Sequence, residues 1–530
     1  MAPLPGAARA SRTPFSVAIT STLQQKPIPK TPQYIQKMEQ HQEAVSKIST
    51  AISGFYQRRV PFRLYHGSTN STQARKVDPS RMVDTSLLNH FISVDRTKMT
   101  CLVEPNVPMD QLVDATMPHG FVPQVVMEFP GITVGGGFSG TAGESSGFKY
   151  GFFEDTVNWV EIVLGDGEIV RASREERSDL FWGAAGSFGT LGVTTLFELK
   201  LIPAKPYVEL TYHPTSSAAD ALSTMQTACD DETNDYVDGI MFAEDHGAIV
   251  AGKLTDDRGQ SFQRFSLAQN PWFYIHAERA TKGHVESLVF TTPLRDYLFR
   301  YDRGAFWTGK YAFQYFITPF NRITRFILDY FMHTRVMYHA LHASGHASKY
   351  MIQDLLLPSS TAEEFIHFVS KNFGFWPLWL CPFKIDRPLS LHPRIPESSK
   401  PAGETSSYVN IGVWGPGSTD YGRFVQQNRL LEQGVRKLGG IKWLYAQAYY
   451  TDDEFTEIYD RKWYEALREK YHATYMPTVS DKVRVDISKA AQPPATWSDW
   501  LRSTVWGVWP ISGLYGVWKT LYQRDYLLAK

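Results

Sequence analysis

The chain has 530 residues, with 54 Lys+Arg against 54 Asp+Glu, 43% hydrophobic and 14% aromatic, enough for two large units with tails or three or four smaller ones. Zero formal net charge withholds the broad basic field that nucleic-acid binding draws on, so nucleic acid is not an expected partner. Cys101, Cys229 and Cys381 lie far apart, with no CxxC and no metal-like His/Cys spacing, which argues against a disulfide framework or a metal site and for plain thiols in a reducing compartment.

Residues 1–34 are rich in Ala, Pro, Ser and Thr, carry Arg9, Arg12, Lys26 and Lys30, and precede the first acid, Glu39. They hold no long apolar run, which argues against a signal peptide or a membrane span and predicts a disordered extension, a transit peptide being the alternative. Over residues 34–58, Met38, Val45, Ile48, Ile52 and Phe55 fall mostly three or four apart and predict an amphipathic helix. A short strand at residues 62–65 runs into the small-residue turn Gly67-Ser68-Thr69-Asn70, and residues 92–95 and 100–105 read as a β-hairpin. Residues 108–117 read as a short helix with Pro108 in its first turn.

Residues 131–146 hold six glycines, too many for the interior of a regular helix or strand, and predict a loop in close contact with something. Gly135, Gly136, Gly137 and Gly140 would let backbone N–H groups converge on an anion such as a pyrophosphate, and a tight structural turn is the alternative. Neither a GxGxxG turn on a helix nor a P-loop is present. Two strands then flank Gly165-Asp166-Gly167, a hairpin turn. A second glycine-rich stretch, with Gly186, Gly189 and Gly192, leads into an apolar strand from Val193, and Pro203 and Pro206 close the unit. Two glycine-rich approaches suggest a long ligand held along its length.

Beyond residue 206 the chain alternates helical stretches with short strands to about residue 485 and shows no internal repeat. Residues 270–276 and 306–331 are dense in Trp, Tyr and Phe, which fits an apolar pocket, a membrane-facing surface or ordinary core. Residues 388–407 read as an exposed loop. The tail carries Trp497, Trp500, Trp506, Trp509 and Trp518, with residues 503–518 uncharged between Arg502 and Lys519. It falls short of the roughly 20 apolar residues of a span, and Gly507, Pro510, Gly513 and Gly516 weaken a continuous helix. An interfacial anchor is expected, with packing on the protein's own surface as the alternative.

Several of these segments together resemble a known family. Thr133-Val134-Gly135-Gly136 with Gly140, Glu144-Ser145-Ser146, Lys149-Tyr150-Gly151, Ser178-Asp179-Leu180-Phe181, Gly189-Thr190-Leu191-Gly192 and Ile202-Pro203-Ala204-Lys205 resemble the FAD domain of the vanillyl-alcohol-oxidase/PCMH superfamily. More narrowly, they resemble the Δ24-sterol reductase (Diminuto/Dwarf) group. The match continues through Gln353-Asp354, Trp379-Leu380-Cys381-Pro382-Phe383, Leu444-Tyr445-Ala446 with Tyr449, Glu454-Phe455 and Leu467-Arg468, and so covers roughly residues 35–485.

The resemblance implies an α+β chain: an extension at 1–34, a PCMH-type FAD domain of two α/β subdomains at 35–206 and an α+β substrate cap at 207–485, followed by the Trp-rich tail at 486–530 whose own composition led to the expectation of an interfacial anchor. It implies FAD held by Gly67, Ser68, Thr69 and Asn70, by Thr133, Val134, Gly135, Gly136, Gly137 and Gly140 at the pyrophosphate, by Ser145 and Ser146, and by Gly189, Thr190, Leu191, Gly192 and Val193 near the flavin or adenine end. Covalent members carry a histidine in the turn that here reads Gly67-Ser68-Thr69-Asn70, so the FAD is expected to be noncovalent; His66 precedes the glycine. Arg303 would contact flavin or NADPH, a surface ion pair being the alternative.

The implied reaction is NADPH-driven reduction of the C24–C25 double bond of a sterol side chain at an intracellular membrane, the endoplasmic reticulum. Such an unactivated alkene needs a proton at one carbon and a hydride at the other, in a dry site. Tyr445, Tyr449, Asp354 and Glu144 are the candidate proton donors. The chain departs from the family at Phe299-Arg300-Tyr301, where a His-Arg-His cluster is usual, and at Thr308, where Glu is usual. These departures leave open an FAD-linked oxidase or dehydrogenase of another apolar terpenoid or secondary metabolite, or a noncatalytic sterol-binding flavoprotein.

Overall fold

The computed structural model describes residues 31–66, 78–345, 349–385, 406–485, 487 and 508–523. The first helix, Pro32–Arg58, is capped by the Thr31 hydroxyl, which accepts from the Tyr34 amide, and it buries the apolar face formed by Val45, Ile48, Ile52 and Phe55. It packs on a six-stranded sheet in the order Phe91–Asp95, Thr100–Val103, Val193–Pro203, Val157–Val163 and Ile169–Ser173, with Phe121–Pro123 also paired to Val193–Pro203. Both hairpins expected in this region form as antiparallel pairs.

The glycine-rich stretch is not the loop expected of it. Val134–Gly140 is a short helix, and the Thr133 hydroxyl at its N-cap accepts from the Gly136 amide at 3.1 Å. Glycine costs about 1 kcal/mol per position in a helix, but here it permits contacts that a side chain would forbid. A Cβ on Gly135 would stand 2.8 Å from Pro105, and one on Gly137 would stand 2.4 Å from Met127.

After Pro203 the chain enters a second, eight-stranded sheet. Its order is Leu288–Pro293, Tyr207–Thr215, His246–Thr255, Tyr236–Ala243, Leu378–Ile385, Ser406–Pro416, Tyr350–Pro358 and Ile441–Lys442, with every neighbour antiparallel. Helices Ala218–Asp230, Ser359–Phe373 and Tyr421–Lys437 cover one face, burying Met225, Phe365 and Leu431 against it. Because side chains alternate along a strand, Trp379, Cys381 and Phe383 turn to the other face and join the core of the first unit. There Phe383 stacks on Phe152 with ring centroids 4.8 Å apart. The molecule is thus an α+β protein whose second sheet lies against its first unit.

The tail also differs from expectation. Ile511–Gln523 is one continuous helix laid along Thr334–Ser344. Its glycines are sites of close approach: a Cβ on Gly516 would stand 2.6 Å from the Ala340 carbonyl oxygen, and one on Gly513 would stand 2.4 Å from the Tyr315 ring. His339 Nδ1 and the Thr520 hydroxyl lie 2.9 Å apart across this contact. Trp497, Trp500 and Trp506 lie outside the described residues, as do residues 1–30 and 388–405. Among the described residues, no helix is long and apolar enough to cross a membrane.

Candidate functional site

A cavity of about 590 Å³ runs between the two units and on to the terminal helix. Gly136, Gly140 and Gly189 line it in the first unit, Trp379, Trp414 and Tyr445 in the second, and Val517 at the terminal helix.

Of the residues expected to hold the cofactor, Thr133, Gly135, Gly136, Gly140, Gly189, Gly192 and Val193 line this cavity. The others do not. Val134 and Leu191 are buried in the core, and Gly137 packs on Met127 and Phe153. Thr190 accepts from the Tyr464 hydroxyl at 2.7 Å, the Ser145 and Tyr297 hydroxyls meet at 3.1 Å, and Ser146 donates to the Gln124 carbonyl at 2.8 Å. Gly67, Ser68, Thr69 and Asn70 lie outside the described residues.

Arg303 is neither a surface ion pair nor a cavity group. It is buried, its Nε donates to Asp329 Oδ1 at 2.8 Å, and its remaining donors reach the carbonyls of Phe265, Ala268 and Asn270. Those bonds consume the guanidinium inside the cap.

The cavity fits a dinucleotide, though not in the manner the glycines suggest. The amides of Val134, Gly135 and Gly136 already donate to the Val107 carbonyl, the Pro105 carbonyl and the Thr133 hydroxyl, so the helix start presents few spare donors. Space and charge carry the fit instead. Gly140 is buried, yet a Cβ built on it would meet nothing within 4 Å, because it would project into the cavity. Two cations that the sequence reading did not single out, Arg63 and Lys482, line the cavity, and the Lys482 ammonium donates to the Phe188 carbonyl at 2.8 Å beside Gly189. Open backbone flanked by cations suits a diphosphate.

The four candidate proton donors separate clearly. Asp354 and Tyr445 face the cavity; Glu144 and Tyr449 do not. Asp354 stands opposite Gly412, which in turn stands opposite Trp379, so the three form one row across neighbouring strands. Its carboxylate accepts from the Tyr445 hydroxyl at 2.6 Å, Asn410 Nδ2 at 3.2 Å and Trp414 Nε1 at 3.3 Å. Burial pushes its pKa up to about 6, against those hydrogen bonds, which hold it down.

Glu144 instead sits behind the cavity wall, 3.3 Å from Arg300 Nη1. Arg300 also donates to Asp238 Oδ2 at 2.8 Å, and the same oxygen accepts from Tyr301 at 2.6 Å and from Trp379 Nε1 at 3.1 Å. Burial raises Glu144 to about 7 although the Arg300 charge pulls it down. This network joins the units and orients the Trp379 ring, so Arg300 and Tyr301 serve packing while Thr308 lines the cavity itself. The Tyr449 hydroxyl donates to Gln447 Oε1 at 2.7 Å, and its ring belongs to the core beneath the cap helices.

The structure also brings forward an acid that the sequence reading passed over. Glu128 lines the cavity, is 9% exposed, and among the described residues its carboxyl is hydrogen-bonded only by its own amide. Burial first, then the charges of Glu144 and Asp354, push its pKa well above the usual carboxylate range, a direction that favours the protonated acid. Its sequence signal is a lone acid inside the apolar run Val125-Val126-Met127-Glu128-Phe129.

Comparison with known proteins agrees with this geometry. Residues 41–173 match the FAD binding domain family. The chain is 31% identical over 406 residues to the Delta(24)-sterol reductase of Homo sapiens, covering 75% of this chain and 76% of that protein. It is 30% identical over 442 residues to the Delta(24)-sterol reductase of Arabidopsis thaliana, with the same coverage, and 28% identical over 460 residues to the Delta(24)-sterol reductase homolog of Caenorhabditis elegans, covering 83% of each. With an FAD-binding domain and this extent of similarity through both units, the chain belongs to the Delta(24)-sterol reductase family of FAD-dependent oxidoreductases.

Proposed function

We propose that this chain reduces the C24–C25 double bond of a sterol side chain, with noncovalent FAD as its cofactor, NADPH as the electron source, and an intracellular membrane, the endoplasmic reticulum, as its location. The observation that carries the reading is the cavity itself, which joins the open backbone at Gly140 to a carboxylic acid set among aromatic walls. When bound, the flavin supplies hydride from its reduced form. Arg63, Lys482 and the open backbone at Gly140 and Gly189 would hold the dinucleotide.

The protein's own chemistry is to deliver a proton and exclude water. Glu128 faces the cavity, and its burial beside Glu144 favours the protonated form, so it is the acid assigned to give the proton. The Tyr445 hydroxyl directs its proton at Asp354, so this pair shapes the wall rather than supplying the acid. Trp379, Trp414, Phe383 and Trp443 close the cavity with apolar surface, which keeps water from the electron-deficient carbon that protonation creates.

The test is anaerobic. Purified protein should show a flavin spectrum that NADPH bleaches, and a Δ24 sterol should restore the colour while gaining two hydrogens. Oxygen uptake with peroxide release and no reduced sterol would mark a flavin oxidase instead. A flavin that NADPH never bleaches, with or without sterol, would mark a noncatalytic sterol-binding protein.

A further inference from the structure

The far end of the cavity lies one helix away from solvent. Gly513, Val517 and Thr520 on the inner face of Ile511–Gln523 line the cavity, whereas Leu514 and Trp518 on its outer face are each 56% exposed and Tyr522 is 76% exposed. A surface helix facing water shows a polar outer face; this one is apolar on both. The same reversal occurs in residues 316–331. Phe316, Leu328 and Phe331 line the cavity, and between them Ile317, Ile323 and Ile327 are 75%, 70% and 68% exposed. The two segments adjoin, since Trp509 Nε1 donates to the Tyr315 carbonyl at 2.6 Å and Gly513 sits against the Tyr315 and Phe316 rings.

The one acid of residues 317–330, Asp329, is paired with Arg303 and His333, which leaves cations as the exposed charges of this rim. Residues 304–328 and 508–523 contain no Asp or Glu, while Lys310 and Arg322 are exposed and Lys519 is half-buried. Isoleucines, leucines and aromatics ringed by cations match a bilayer surface, where side chains enter the acyl region and cations meet anionic headgroups. A second protein chain seated here would seal the cavity end, whereas a bilayer leaves it continuous with the phase in which an apolar substrate dissolves.

We infer that this rim, made by the outer face of the terminal helix and by residues 317–330, docks on an anionic lipid bilayer and that substrate passes from the bilayer into the cavity beside the terminal helix. The docking stands on the exposed rim alone; the passage rests on the functional reading above.

The experiment uses the full chain with its flavin and vesicles of phosphatidylcholine with or without phosphatidylserine. Flotation should require the anionic lipid for full strength. The exposed pairs L514E/W518E and F326E/I327E should each lower vesicle affinity at least about tenfold, given the apolar area withdrawn from the bilayer. V285E, on a residue 94% exposed elsewhere, should leave flotation unchanged. Retained flavin absorbance and far-ultraviolet circular dichroism show that each variant is folded. Sterol presented in cyclodextrin should be reduced at the wild-type rate by the rim variants, and sterol presented in vesicles should be reduced more slowly. Rim variants that float like the wild type overturn the proposal, as does a wild-type chain that fails to float but forms a dimer that the rim variants dissociate. If no form reduces sterol from cyclodextrin, the functional reading fails, and flotation still decides the docking.

Discussion

At the scale of single residues, Glu128 and Tyr445 make opposite demands. An acid that protonates the alkene contributes typically 10²- to 10⁴-fold, so Glu128→Gln should slow sterol-driven reoxidation of the flavin by roughly that factor. NADPH-driven bleaching should stay unchanged, because that half of the cycle does not use the proton. Tyr445→Phe removes only a hydroxyl bound to Asp354 and should cost less than about tenfold, with a stability loss of about 1.5–3 kcal/mol for a hydrogen bond to a charged group. Stopped-flow absorbance at the flavin band separates the two, and a Tyr445→Phe enzyme as slow as Glu128→Gln would move the donor role to the tyrosine. Sequence reading found Asp354 and Tyr445 but also chose Glu144, Tyr449 and Arg303, because a motif shows which residue types are present and not which way each side chain points. Burial in an apolar run was the clue to Glu128, and it is readable only once the run is known to border a cavity.

At the scale of elements, the sequence was most legible where one face alone decides the structure. The helix Pro32–Arg58 and the hairpins around residues 96–99 and Gly165-Asp166-Gly167 follow from periodicity and turn chemistry. The helices Val134–Gly140 and Ile511–Gln523 were not legible, because their glycines weaken a helix locally and the compensating contacts, with Pro105 and Met127 or with Ala340 and Tyr315, come from far along the chain. The first helix is also tied to its sheet electrostatically. His41 Nδ1 lies 2.8 Å from Glu104 and Nε2 lies 3.0 Å from Glu161. Burial lowers the imidazole pKa, but the two carboxylates outweigh it and raise the value from 6.5 to about 9. A pKa raised on folding stabilises fully below 6.5 and loses that stabilisation as pH climbs through 9. Unfolding free energy should therefore fall between pH 6.5 and above 9 by on the order of 2–3 kcal/mol from this site. Urea midpoints measured across that window should show the decline, and His41→Gln should flatten it; an equal slope in the variant would assign it to other groups.

At the scale of the whole molecule, two units share one cavity, and that arrangement makes cofactor binding a property of both. The Arg300 ion pair with Glu144 already ties the units together without a ligand, and Asp238 within the second unit holds Arg300 in place for it, so the walls are preformed. A flavin occupying the space above Gly140 would touch Val134–Gly140 from one side and the strands carrying Asp354 and Trp379 from the other. Ligand that binds only the folded state stabilises it by about 2.7 kcal/mol at one hundred times Kd. Adding FAD to the stripped protein should accordingly raise its unfolding free energy by that order and slow amide exchange in Val134–Gly140 and Tyr350–Pro358 together. Gly140→Leu supplies the control, because the side chain enters open space in the unliganded cavity and should not unfold the chain. That variant should keep the wild-type urea midpoint without FAD, retain no flavin through gel filtration, and show no change in exchange when FAD is added. Protection confined to the first unit would mean that the cap does not meet the cofactor, and a Gly140→Leu chain that still holds its flavin would remove the dinucleotide from this cavity altogether.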